Sequence, residues 1–153
     1  MIRVIKCTKD HIEIITGLIF KLLKDFNDRS GSNFNSNRNI ILDTTVNLID
    51  RETFGCYVAF ANDRPVGIIT IAPCFAIYNG GDFGVITELY VDQDLRSSGI
   101  GKLLLAKAYE FAKLNGWTKL EVGAPNKNEW PRTIEFYKKN GFEEKGPKLR
   151  IKI

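Results

Sequence analysis

The sequence predicts an α+β domain: a central mixed, mostly antiparallel, twisted sheet flanked by about four helices. Two patterns lead to this class. Short runs rich in β-branched and aromatic residues cluster between positions 54 and 91, each bounded by turn residues. Elsewhere apolar residues recur three and four apart, the spacing of one buried helix face. In chain order the runs read β α α β β β α β α β β. At 153 residues, with 44% apolar and 26% charged side chains, one domain over 1–153 is long enough to bury a core of its own.

Each element has its local reason. Ile2 and Val4 alternate with Arg3 and Lys6, a first strand, and Thr8 or Asp10 can cap the helix that follows. Ile12, Ile15, Leu18, Ile19, Leu22, Leu23 and Phe26 give that helix its apolar stripe. Residues 27–39 (NDRSGSNFNSNRN) read as a polar loop, long for a compact domain. A second helix spans 40–50, with Leu42, Val46 and Ile49 on one face. Runs 54–61 and 66–72 form a hairpin about Asn62-Asp63-Arg64-Pro65, and Pro73 ends the second run or lies at its edge. A third strand, 83–91, follows the turn Tyr78-Asn79-Gly80-Gly81-Asp82. The next helix buries Ile100, Leu103, Leu104, Ala108, Phe111 and Ala112, and stops at Asn115-Gly116. Residues 117–122 form a strand. Asn128 is a candidate cap for a last helix, with Pro131 in its first turn. Residues 142–144 and 149–153 read as a closing hairpin.

Composition bounds the partners. A net charge of +4 favours anionic ligands, but the basic residues are scattered, which argues against nucleic acid. Three cysteines, Cys7, Cys56 and Cys74, stand far apart and read as reduced, packed thiols of a cytoplasmic protein. The single histidine, His11, is a poor start for a metal site, so no metal is expected. No apolar run approaches the roughly 18–20 residues that span a bilayer, and the first residues read as a strand and not as a signal peptide.

The most informative stretch is 86–112. A strand ends in an acidic turn, then Arg96-Ser97-Ser98-Gly99-Ile100-Gly101 opens an amphipathic helix. The first amides of a helix have no partner inside it and its N-terminal end is partly positive, so phosphates bind there. Gly99 lacks a Cβ and lets a ligand approach the backbone. Gly101 lets the helix lie close to the strand. Arg96 adds a fixed charge with a fork suited to phosphate.

Arg96-x-x-Gly99-x-Gly101, after a strand carrying Glu88 and Val91, resembles the acetyl-CoA signature of the GCN5-related N-acetyltransferases (the GNAT superfamily). Phe136-Tyr137-Lys138-Lys139-Asn140-Gly141-Phe142 resembles the segment with which those proteins commonly end. The order of elements is also the one this resemblance implies. It further implies that Ser97, Ser98, Gly99, Ile100, Gly101 and Lys102 hold the pyrophosphate of coenzyme A, beside Arg96. Leu89, Tyr90 and Val91 would contact the pantetheine arm, and a strand N–H near Tyr90 would stabilise the thioester oxyanion. Glu88 stands where many members carry a catalytic base, and Tyr137 where a phenol protonates the leaving thiolate. The family often has Asn six residues before the Phe of the closing segment; here that position is Trp130. Either Asn126 or Asn128 would then supply the contact to the arm from a shifted loop, or the contact is absent.

The resemblance thus implies an acetyl-CoA-dependent N-acetyltransferase. A primary amine would attack the thioester directly in a ternary complex, with a base needed because an alkyl ammonium has a pKa of about 10. A non-catalytic coenzyme A sensor and a small nucleic-acid-binding domain are the alternatives. A homodimer is a family expectation alone; the sequence shows no interface. The acceptor is left open by the residues that would shape its site, 27–39 and 73–83, with Tyr78, Asp82 and Phe83 as possible lining groups.

Overall fold

The computed structural model describes residues 1–146 and 149–152. The elements are β1 (Ile2–Lys6), α1 (Ile12–Ser30), α2 (Arg38–Ile49), β2 (Gly55–Ala61), β3 (Arg64–Ala76), β4 (Gly81–Val91), α3 (Ile100–Leu114), β5 (Leu120–Val122) and α4 (Pro131–Lys139). They form two compact units, one over Met1–Val122 and one from Gly123 onward.

The first unit is a single sheet in the order β1-β2-β3-β4-β5. The first three pairings are antiparallel, and β5 runs parallel to β4. On one face, Ile15, Leu18 and Leu22 of α1 and Ile49 of α2 pack with Cys56, Val58, Phe60, Ile68 and Tyr90. The opposite face is covered by α3: the ring of Phe111 meets Tyr57 edge-on at 6.2 Å. A Cβ on Gly67 would lie 3.2 Å from Leu104. Two faces, two helix layers and a sheet between them account for the strand runs that are apolar on both sides, such as Val66 to Ile71.

Several elements differ from their sequence reading. α1 runs on to Ser30 and stops at Gly31, which takes the left-handed conformation at φ 62°. The Asn-rich residues after it are tied down: Asn27 Nδ2 donates to Phe34 O at 3.1 Å, and Phe34 N donates to Asn27 Oδ1 at 2.9 Å. Asn37 then caps α2 by accepting from Asn39 N. The buried face of α2 is Ile41, Thr45 and Ile49, one residue round from the expected stripe, and Val46 is half exposed. In α3, Leu105 is buried and Leu103 is exposed, because residues 100, 104, 108 and 111 set the stripe and 103 lies about 100° to one side of 104. β3 is longer than expected and passes through Pro73 to Ala76.

Residues 117–119 are not strand. Gly116 N donates to Lys113 O and Trp117 N to Ala112 O at 2.9 Å, a Schellman closure of α3 with Gly116 at φ 70°. Trp117 is therefore part of a helix cap, buried against Phe111 with ring centroids 5.6 Å apart. The closing hairpin is also absent among the described residues 142–146 and 149–152; Pro147, Lys148 and Ile153 lie outside them. Leu149 and Ile151 are exposed, and an isolated two-stranded hairpin with no apolar face to bury is marginal in water. His11 takes part in a capping box: its Nδ1 accepts from Thr8 N at 3.1 Å.

Candidate active site

The site is built first on a fault in β4. Thr70 pairs with Glu88 but Ile71 pairs with Ile86, so Thr87 is an extra residue, a β-bulge. β5 pairs with β4 only at Gly84, Val85 and Ile86. Past the bulge, residues 87–91 keep β3 on one side and have no strand on the other among the described residues. Glu88 N donates to Thr70 Oγ1 at 3.0 Å and Asp92 N to Val66 O at 2.8 Å, both toward β3. By the two-residue alternation of a strand, Leu89 and Val91 aim their N–H groups at the open edge and Tyr90 aims its own at β3. The donor expected near Tyr90 is thus offered by its neighbours.

The same bulge places Glu88. Its Oε2 accepts from Thr87 Oγ1 at 2.8 Å and from Thr70 Oγ1, while Oε1 makes no hydrogen bond among the described residues. The carboxylate is half-buried and aimed, held by two hydroxyls on adjacent strands. Tyr90 lies on the α1 side in the apolar core. Burial, then the adjacent charge of Asp92 and the bond to it, push its phenol up to about 12, so it stays protonated.

At the end of β4 the chain makes a 3-10 turn over Gln93–Leu95 and enters α3 through Arg96 to Gly99. Ser97 and Gly99 have φ of 68° and 89°. For Ser97 a left-handed backbone costs about 1–2 kcal/mol, which the rest of the loop must hold in place. The N-cap of α3 is Gly99, which has no side chain to satisfy the first amides. Ser97, Ser98, Gly99 and Lys102 are exposed, Gly101 half-buried and Ile100 buried. A chain turn with left-handed residues, exposed at a helix start, is a concave set of N–H donors fit for phosphate oxygens.

Arg96 is placed differently from its sequence reading. Its Nε donates to Val91 O at 3.0 Å, and its Nη2 meets Asp25 Oδ2 at 2.7 Å. Nε and Nη2 thus bond to the protein itself. Asp25, in α1, is only 6% exposed. Its Oδ1 also accepts from Gln93 Nε2 at 2.8 Å and from Arg29 Nε at 3.2 Å. Asp92 is a second buried carboxylate: it pairs with Lys21 Nζ at 3.1 Å and accepts from Tyr90 Oη at 3.2 Å. Sequence reading missed Asp25 and Lys21. The signal was present, since Asp25 falls on the apolar stripe of α1, three residues after Leu22, with Arg29 one turn on.

The second unit carries Tyr137 on α4. The side chain is buried, at 7% exposure, with the rings of Phe136 and Phe142 edge-on at 5.4 and 5.3 Å. Burial raises its pKa above the usual phenol value, so it holds its proton. The hydroxyl makes no hydrogen bond among the described residues, and no buried side-chain oxygen there lacks a partner; the hydroxyl therefore reaches the surface. Asn128 does not cap α4. Pro131 takes the first helical position, which makes Trp130 the N-cap, and its side chain makes no capping bond to the helix amides. Asn126 Oδ1 accepts from Asn128 N at 2.9 Å, leaving the exposed carboxamide of Asn128 free. Of the acceptor-side residues, Tyr78 and Asp82 are exposed, but Phe83 is buried, with Lys119 Nζ 4.2 Å from its ring centroid. Cys7 and Cys56 are buried together, and the Cys7 hydrogen bond and burial push the Cys56 thiol up, which leaves it inert as a nucleophile. The described residues contain no group of three or more metal-ligating side chains and no helix long and apolar enough to cross a membrane.

A family model for an acetyltransferase (GNAT) domain matches residues 52–144, which takes in the bulged strand, the loop and Tyr137. The chain belongs to the GNAT acetyltransferase family. Over 102 residues this GNAT chain is 41% identical to an uncharacterized N-acetyltransferase of Methanocaldococcus jannaschii, a match covering 64% of this chain and 43% of that protein. The chain thus spans less than half the length of that relative. Among solved structures, the fold is similar to the aminoglycoside N-acetyltransferase AAC(6')-Iy in complex with CoA, at TM-score 0.84 and 15% identity over 100% of this chain and 95% of that one. It is also similar to a "predicted acetyltransferase" with acetyl-CoA from Clostridium acetobutylicum, at TM-score 0.81 and 20% identity over 99% and 96%. At these identities the likeness is one of fold: an α+β layer structure with a mixed five-stranded sheet.

Proposed function

We propose that this chain is an acetyl-CoA-dependent N-acetyltransferase that acts on a primary amine. The observation that carries the reading is the open edge of residues 87–91, which leads straight into the uncapped N-terminus of α3. An extended, polar arm ending in phosphates fits that pair of features: the strand edge offers N–H and C=O groups as for an added strand, and the helix start offers amides and partial positive charge. Two proteins of similar fold are known as complexes with acetyl-CoA and with CoA, which supports the same donor here.

In this reading Ser97 to Lys102 hold the pyrophosphate, and Leu89 to Val91 line the arm, with the Leu89 or Val91 N–H facing the thioester oxygen. Asn128 offers its free carboxamide to the arm in place of the residue lost at Trp130. Glu88, oriented by Thr70 and Thr87, takes the proton from the attacking ammonium directly or through a water at Oε1. The amine nitrogen bonds to the acyl carbon as the C–S bond breaks, Tyr137 gives its proton to the departing thiolate, and the proton shed by the new amide nitrogen restores the phenol through solvent. No covalent enzyme intermediate is needed. Aminoglycosides, polyamines, amino acids and peptide N-termini are the acceptor classes to screen, the first because aminoglycoside acetyltransferases share the fold. Incubated with acetyl-CoA, the protein should release free thiol in an amine-dependent way with at least one class. Coenzyme binding with no thiol release from any of them would remove the catalytic reading and leave a sensor.

A further inference from the structure

We infer that Asp25 of α1 is a positioning residue for the phosphate-binding loop, holding Gln93 and Arg96 so that the loop amides are set before the coenzyme arrives. The inference rests on the loop being a coenzyme site, as proposed above. Three side chains donate to Asp25, and two of them, Arg96 at 2.7 Å and Gln93 at 2.8 Å, belong to the turn between β4 and α3. Arg96 also closes the turn on its own strand through Val91 O at 3.0 Å. The guanidinium is thus a strut between β4 and α1, directly before Ser97, whose φ of 68° is the unfavourable one in the loop. A short charged bond to a buried carboxylate, with 6% of Asp25 exposed, is the kind that fixes geometry. A loop already ordered gives up less freedom when ligand binds. The Arg of the Arg-x-x-Gly-x-Gly pattern therefore acts on phosphate through the backbone it fixes.

The test compares coenzyme A with pantetheine, which has the arm but no pyrophosphate, by calorimetry on wild type, Asp25→Asn, Arg96→Gln and the double variant. Asn keeps the shape of Asp25 and loses its charge. Asp25→Asn should weaken coenzyme A by about tenfold, or 1.4 kcal/mol, and leave pantetheine unchanged. The double variant should bind no worse than Arg96→Gln alone, because the two act as one unit. A general loss of structure would instead weaken both ligands alike. Should Asp25→Asn fail to fold, Gln93→Leu, altering an exposed side chain, should show the same selective loss to a smaller degree. Coenzyme A affinity within twofold of wild type, or tighter because a freed Arg96 reaches the phosphates, would overturn the inference, as would equal losses for both ligands. A wild type that binds coenzyme A but transfers nothing would end the catalytic reading while leaving this one to be decided by the same titrations.

Discussion

In the proposed reaction Tyr137 is the residue on which the chemistry would depend most sharply. Its ring is enclosed by Phe136 and Phe142, and its hydroxyl makes no hydrogen bond among the described residues. Burial favours the neutral phenol, so the acid form persists on the alkaline side: the shift is upward from 10.0, and deprotonation begins only above that value. The rate should accordingly show no descending limb from this group up to about pH 10. Tyr137→Phe keeps the packing and deletes the proton, and should lower kcat by about 10²-fold or more with little change in acetyl-CoA affinity; unchanged turnover would remove Tyr137 from the mechanism. At this scale the sequence was a partial guide. Glu88 and Tyr137 could be singled out because their types and positions match a family pattern, and their catalytic roles stand as proposals. For Asp25 the place on the apolar stripe of α1 was legible but its role was not, since its partners stand 68 and 71 residues away and only the fold brings them together. Arg96 was legible as a loop residue but not as a strut, because nothing in the linear order shows where a guanidinium points.

At the scale of elements, the opening of the sheet depends on a short parallel pairing followed by divergence. β5 is three residues long and reaches β4 only because Gly84 has no side chain: a Cβ there would lie 2.6 Å from Leu120 Cδ2 and 2.7 Å from Trp117 Cε3. Gly84→Val should therefore destabilise the fold by about 1–3 kcal/mol through overpacking, read as a lower urea midpoint at an unchanged slope. A midpoint equal to wild type would show that the β4–β5 contact is not the tight joint described. The helices were read well from periodicity, but their buried faces were misplaced by one residue in α2 and in part of α3. The bulge at Thr87 was not legible, because an extra residue in one strand leaves the alternation around it intact on both sides. The expected strand at 117–119 failed for a similar reason: Trp117 has strand propensity, but Gly116 and the last carbonyls of α3 captured it for a helix cap.

For the whole molecule, the order of elements and the α+β class were legible throughout the first unit, where apolar periodicity and turn residues agree. The tail was not: alternating Leu149 and Ile151 suggested a strand, yet their exposure shows that they find no core to join. The acceptor side is the least legible part, because its residues are polar, loop-bound and without a motif, while the donor side is fixed by backbone geometry that any sequence with Gly99 in this place can share.

The central claim is that the N-terminus of α3 binds the phosphates of acetyl-CoA, and Gly99 tests it. Its backbone is left-handed at φ 89°, and nothing lies within 4 Å of a Cβ built on it. Gly99→Glu should thus be accommodated by the protein itself at about 1–2 kcal/mol of local strain, while it places a carboxylate where the phosphates would bind. Titration calorimetry with acetyl-CoA, on wild type and on folded Gly99→Glu, should show binding for the first and loss of at least about tenfold for the second. Absence of wild-type binding at millimolar acetyl-CoA, or equal affinity in the two proteins, would contradict the account.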